Sequence, residues 1–384
     1  MAFLLRADVK HYDWGFPGAL SKAVGREPSD TPEAELWWGN HPLAECSIDT
    51  PQGVSDFPSW LEENQIVFPL LVKLLAAQKP LSIQVHPNVE QAQRGFEREQ
   101  TLGIPLDARE RTYKDVSSKP ELIIALSDEF VCLAGFVPDS VVRNRLERWG
   151  EAGAPHLFLT LLAGLADDPR GASQVITHDI SIGNDVLQGL EEWLRLVDMS
   201  TLDSITGREL WLLQKVSLAY PGDEGILFVP LMHHIFLQRG EALFIRAGEV
   251  HAYVEGFGIE VMLPSDNVIR AGLTSKHKNT VAFLELADFE ATSIPRIVRP
   301  EGDELSATYE SFGADFVIHS QRSGAEVLTI RNPSVCFVEA GEAVVGGLDT
   351  TTFIRGDAFF ALPGETVAPQ SEDAVVWVVH SRVD

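Results

Sequence analysis

The stretch KPLSIQVHPN, residues 79–88, constrains the fold more than any other. It reads as a strand, and successive side chains of a strand point to opposite faces. Leu81, Ile83 and Val85 then share one face, and Ser82, Gln84 and His86 share the other. A polar row on a strand that otherwise looks buried is costly unless each group finds a partner. The chain must therefore bring polar side chains from distant segments to this face. His251 is the obvious candidate, and Glu121, which opens the apolar run ELIIAL, is another. Two imidazoles, a carboxylate and an amide oxygen suit zinc or another divalent metal. Glutamine is an unusual zinc ligand, and two histidines with one carboxylate also suit ferrous iron. Spacing alone leaves the metal open. A single histidine would be read as a hydrogen-bonded structural residue; four donors together are not.

At 384 residues the chain suggests two or three domains with ample length for a core. No apolar run approaches the length of a membrane span, and the N-terminal apolar patch is too short for a signal peptide. A cytoplasmic protein is expected. Cys46, Cys132 and Cys336 match no metal or redox spacing and read as buried hydrophobes. The net charge of −26 argues against nucleic acid, whose binding depends on a cationic face. It also means that an anionic substrate would need a local cluster of Lys and Arg.

Residues 1–86 look strand-rich, with a short helix at 58–66 and helical spacing within 89–112. From 138 to 218 apolar residues recur at intervals of three and four, which predicts a helical block. From 225 onward strands return, punctuated by Gly and Pro. An internal repeat lies among them. GEALFIRAGEVH (240–251) and GDAFFALPGETV (356–367) align without a gap, with five identities and a Glu/Asp match. The pattern resembles the second motif of cupin β-barrels, although Arg246 stands where proline is usual. That resemblance implies a metal-ligating histidine after the second glycine. The first copy has His251 there and the second has Val367. The expected fold is mainly β with a helical insertion: two cupin-like (jelly-roll) β-barrels plus an α-helical domain. Residues 1–137 with 219–290 would form the catalytic barrel, 138–218 the insertion, and 291–384 a second barrel lacking a metal site.

PLSIQVHPN, YKDVSSKPEL, AGEVHAY and EVMLPSDNVIRAGLTSKHK resemble, in order, the signature segments of the type I mannose-6-phosphate isomerase family. YDWG at 12–15 and AELWWGNHP at 34–42 resemble its N-terminal segments. The resemblance implies one Zn2+ per chain, held by Gln84, His86, Glu121 and His251. It implies a catalytic arginine at Arg270 and a lysine at Lys276, with Ser275 where proline is common. The implied reaction interconverts mannose 6-phosphate and fructose 6-phosphate through a cis-enediol or enediolate. Such chemistry needs a polarised carbonyl, a base that reaches a carbon-bound proton, and a clamp on the phosphate. Tyr253, Glu260, Asp266 and Glu35 are candidates for the base, and Asp266 could instead hold Arg270. Lys276, Lys73, Lys119 and Ser82 are candidates for binding the substrate. Trp14 and Trp38 are candidates for a pocket wall, with a core role as the alternative. The expected partner is a small sugar phosphate, with no nucleic acid and no membrane, and the expected state is a monomer. An iron oxygenase on the same ligands, or an inactive sugar-binding cupin, are the rival readings.

Overall fold

The computed structural model describes residues 2–41, 43–177, 184–290 and 295–382. Among them the chain is mostly β-sheet with a block of helices, and its strands form sheets of eleven, nine and four. The twelve-residue strand His251–Met262 is the hub of the eleven-stranded sheet. Its first residues pair with Ile83–Val85 and Glu129–Phe136, and its last with Leu71–Ala77 and Glu121–Ala125. The change of partners falls at a bend. The register shifts between Tyr253 and Glu255, and Gly256 has φ 142°. A Cβ on Gly256 would lie 2.9 Å from Phe130 Cα and 2.6 Å from its ring. Glycine at this point lets the strand turn and its neighbour close on it.

The nine-stranded sheet joins the two ends of the chain. Strand Phe3–Ala7 pairs with Ala358–Ala361 on one side and Cys46–Thr50 on the other. These pairings cross the expected division at 291, a residue that, like 180–183 in the helical block, lies outside the described ones. One apolar core runs between the two large sheets. Trp38 stacks on Phe337 at 5.5 Å, and Phe57, Phe68 and Trp60 surround Phe360 at 4.9, 5.6 and 6.0 Å. Trp38 is thus core rather than pocket wall, and all three cysteines are buried and free.

The repeat has one geometry in both copies. Gly240 and Gly248 have φ of 84° and 81°, and Gly356 and Gly364 have 91° and 92°. Glu241 accepts from the Gln238 amide at 3.0 Å, and Asp357 from that of Ile354 at 2.9 Å. Glu249 accepts from the Arg246 amide at 3.4 Å, and Glu365 from that of Leu362 at 2.7 Å. The shared glycines and acids therefore close the same turns.

The helical block contains Asp139–Glu151, His156–Leu165, Pro169–Thr177, Asn184–Leu196 and Ser204–Ala219. Trp149, Phe158, Leu190 and Leu213 pack in its interior. Glu209 binds Arg145, Arg148 and the Trp149 indole, and Arg145 donates to the carbonyls of Pro230 and Met232. These bonds tie the block to the 3-10 segment Glu224–Leu231. Strands were expected there, but after Glu224 the segment is apolar and buried from Gly225 to Leu231, so it carries no period to read. Thr280–Leu286, likewise expected as strand, is a helix capped by Asn279, which accepts from the Ala282 amide at 3.0 Å.

Gly256→Val combines a strained φ with a clash against Phe130. It should destabilise the protein by about 2–4 kcal/mol, read as a lower thermal unfolding midpoint. An unchanged midpoint would show that the hub strand does not need this bend.

Candidate metal centre

Gln84 sits at the middle of a cross-strand row. It lies opposite His251 on one side and Arg270 on the other. The strand alternation expected from sequence holds here, since Ile83 and Val85 are fully buried on the opposite face. The Gln84 side-chain nitrogen is 3.3 Å from His251 Nε2, and a half-turn of the amide puts Oε1 there instead. Both histidines turn Nδ1 to a backbone carbonyl: His86 to Asn267 at 2.7 Å, His251 to Glu249 at 2.9 Å. Each Nδ1–H is thereby the donor, which leaves an Nε2 lone pair on each ring. His86 Nε2 is 3.4 Å from Glu121 Oε1, and His251 Nε2 is 3.4 Å from Oε2. One ligand atom from each of these three residues lies within 4.8 Å of the others. His86 Nε2 is buried and has no hydrogen-bond partner among the described residues. Burial pushes His86 down to about 4, against the pull of Glu121. Burial also opposes ionisation of Glu121, yet Lys119, 2.9 Å away, holds its carboxyl well below the ordinary value. Two imidazoles presenting Nε2, a carboxylate and an amide brought together fit a divalent cation of the zinc type.

Ser265, Asn267 and Asp115 explain parts of the sequence motifs that no ligand uses. The Asn267 side chain donates to the Asp115 and Ser117 carbonyls at 3.0 and 2.9 Å, and Ser265 donates to the Asp115 carboxylate at 2.9 Å. This latch fixes the segment before Arg270 to the segment before Glu121, and the Asn267 carbonyl holds His86.

A cavity of about 340 Å³ opens in front of Gln84 and Glu121. Trp14, Ser82, Lys119, Tyr253, Asp266, Arg270 and Lys276 face it, as do Glu35, Lys73 and Glu260. Lys73 is held between Glu35 at 3.3 Å and Glu260 at 3.2 Å. Burial opposes its charge, but these two carboxylates keep it protonated. Glu260 is raised by burial, with Lys73 pulling the other way. Tyr253 is driven well above 10 by burial and by Glu260 and Glu121, and its hydroxyl donates to Glu121 Oε2 at 3.5 Å. Arg270 and Lys276 differ from these groups. Neither has a side-chain hydrogen bond or ion pair among the described residues, and burial depresses both, Lys276 also through repulsion from Arg270. Two cations without an ion pair, in a chain of net charge −26, make a local positive site suited to an anion.

Sequence reasoning did not single out Tyr12, His41 or Tyr220, which also line the cavity. Tyr12 stacks on Trp14 at 5.7 Å. His41 Nδ1 accepts from the Leu43 amide at 3.0 Å, so Nε2 carries the proton and faces Asp266 Oδ1 at 3.5 Å. His41 lay inside AELWWGNHP, which was a signal. Tyr220 enters from the helical block and donates to the Pro80 carbonyl at 2.8 Å. Nothing local in the sequence announces that contact.

A buried donor set for a divalent cation, opening on a cleft with two unpaired cations, marks a metal-dependent enzyme acting on an anionic molecule. Residues 2–139 match the family described as phosphomannose isomerase type I, catalytic domain. The mannose-6-phosphate isomerase of Escherichia coli is 32% identical over 98% of this chain and 96% of its own. The human one is 28% identical, covering 95% of this chain and 94% of its own. A zinc-bound crystal structure of mannose 6-phosphate isomerase aligns over the whole of both chains with a TM-score of 0.83 and 27% identity. The chain belongs to the mannose-6-phosphate isomerase family.

His86→Ala removes one donor and should lower bound metal at least tenfold after dialysis, measured by elemental analysis. Full retention would remove His86 from the ligand set. Asp266 is held below its ordinary value first by His41. That contact contributes above the ordinary carboxylate range and is lost as pH falls through the lowered value. His41→Ala should move the Asp266 titration upward in carbon NMR; an unmoved titration would show that another group holds it.

Proposed function

We propose that this chain is a zinc-dependent isomerase that interconverts D-mannose 6-phosphate and D-fructose 6-phosphate. The observation that carries this reading is the buried set of His86, Glu121 and His251, with half-buried Gln84 opposite His251 and Arg270 opposite Gln84. These four side chains would hold one zinc ion. When bound, the metal supplies a Lewis acid for the sugar oxygens at C1 and C2.

The remaining roles follow from the charges. Lys276, with Ser82, receives the phosphate, because its ammonium faces the cavity without an ion pair or hydrogen bond among the described residues. Arg270 lies one strand from the ligands and stabilises the negative charge that develops on the enediolate oxygen. Lys119 keeps Glu121 ionised in a dry site. Glu260 moves the proton between C1 and C2 at its carboxylate oxygen. Burial raises its proton affinity toward what a base needs, and Lys73 and Tyr253 fix its direction. Glu35 holds Lys73 from the other side, and Asp266, oriented by His41, positions sugar hydroxyls. Trp14 and Tyr12 wall the opening.

We read the two repeat copies as marks of two cupin-like barrels. Residues 1–137 with 219–290 form the metal-bearing one, 138–218 a helical insertion, and 291–384 the other. The matching turn geometry supports this division. Amide hydrogen exchange in two cooperative groups divided near 291 would agree with it; one group spanning both large sheets would refute it. No helix among the described residues is long and apolar enough to cross a membrane. A cytoplasmic monomer belongs to the same proposal, and sedimentation at twice the chain mass would remove the monomer.

The test is a coupled assay with mannose 6-phosphate. Chelation should abolish turnover and added zinc should restore it. In metal-loaded protein, Arg270→Ala and Glu260→Gln should each lower kcat by about 10²–10⁴-fold. Turnover that survives chelation sinks the function, and an unchanged kcat in either variant sinks that residue's role.

A further inference from the structure

A second pair of histidines stands apart from the metal centre, on the nine-stranded sheet. His319 belongs to strand Phe316–Arg322 and His380 to the neighbouring strand Val375–Ser381. The register sets Val317 opposite His380 and His319 opposite Val378. The two imidazoles are therefore diagonal neighbours on one face. Their rings stack at 5.4 Å and 23°, and Nε2 of one is 3.3 Å from Nε2 of the other.

We propose that His319 and His380 form a second divalent transition-metal site, bound through the two Nε2 atoms with water completing the shell. Two nitrogens each about 2.0–2.1 Å from a tetrahedral ion lie about 3.3–3.4 Å apart, which is the separation seen. The metal centre itself shows the same spacing, with donor pairs at 3.3 and 3.4 Å. The outer contacts also match. His380 Nδ1 faces the Ser381 carbonyl at 3.0 Å, so it is the donor and Nε2 keeps its lone pair. His319 Nδ1 faces the Thr308 hydroxyl at 3.0 Å, which can accept from it and leave Nε2 free as well. Burial lowers His319 to about 4, with His380 adding to the effect, so the ring is neutral at pH 7. Glu310, opposite Val317 in the row of His380, adds negative potential to this face while pairing with Arg382. Neither histidine belongs to the His86–Glu121–His251 set, and both are half-buried rather than sealed. Two imidazoles and water favour Cu2+, then Ni2+ and Zn2+, and bind less tightly than a closed four-ligand set. The ion would pin two adjacent strands of the nine-stranded sheet.

Metal titration decides the matter. Protein dialysed to one zinc per chain is titrated with ZnCl2 against a chelating dye. Wild type should take up a second equivalent. His319→Gln and His380→Gln should each weaken that uptake at least tenfold while isomerase turnover is unchanged. No second equivalent, or undiminished uptake in both variants, overturns the site and leaves a neutral histidine–histidine hydrogen bond. Should either variant misfold, one equivalent of Cu2+ is added to zinc-loaded wild type. Electron paramagnetic resonance should show coupling to two imidazole nitrogens, and a signal with oxygen ligands alone overturns the proposal.

Discussion

Glu121 is the residue on which the rest of the site depends. Its carboxylate is 1% exposed and ionised, which in an apolar interior is tolerable only with opposite charge close by. Lys119 supplies one positive charge. The two imidazoles turn Nδ1–H to backbone carbonyls and present Nε2 lone pairs. Three acceptors thus point at each other, and the arrangement is stable when a cation joins them. The hub strand serves this end. Its bend at Gly256 lets one strand carry His251 beside Gln84 at one end and lie beside the Glu121 strand at the other.

The repeat shows how a fold can copy its geometry without copying its chemistry. Both copies keep the left-handed glycines and the acids that close the turns on backbone amides. Those residues answer backbone demands, which are the same in each copy. The position after the second turn answers to the site alone. It is His251 in one copy and Val367 in the other, and Val367 is fully buried in the apolar cluster of the small sheet.

What was legible in the sequence depended on how local its cause is. Ser82, Gln84 and His86 could be read because a two-residue period puts polar groups on one face over a few residues. His251 could be read through the repeat, and the helical block through its apolar spacing. Lys73 showed its charge but not its commitment, because Glu35 and Glu260 reach it from two other strands. Tyr220 was invisible for the same reason, since its partner Pro80 lies 140 residues away. Asp115 and Asn267 sat inside recognised motifs, yet their work is to bind those motifs together, a relation that neither segment contains alone. Segment 224–231 defeated periodicity because nearly all of its residues are buried.

The charge balance closes the account of selectivity. A chain of net charge −26 repels a sugar phosphate at a distance, but salt screens that field beyond about 8–10 Å under physiological conditions. Attraction must then come from cations inside the cleft. Lys73 and Lys119 cannot provide it, since Glu35, Glu260 and Glu121 already neutralise them. Arg270 and Lys276 can, because neither is held in an ion pair among the described residues and Arg270 raises the cost of the Lys276 charge. An anion relieves that repulsion at the moment it binds. A neutral molecule would leave it in place, so the cleft favours an anion over an uncharged one.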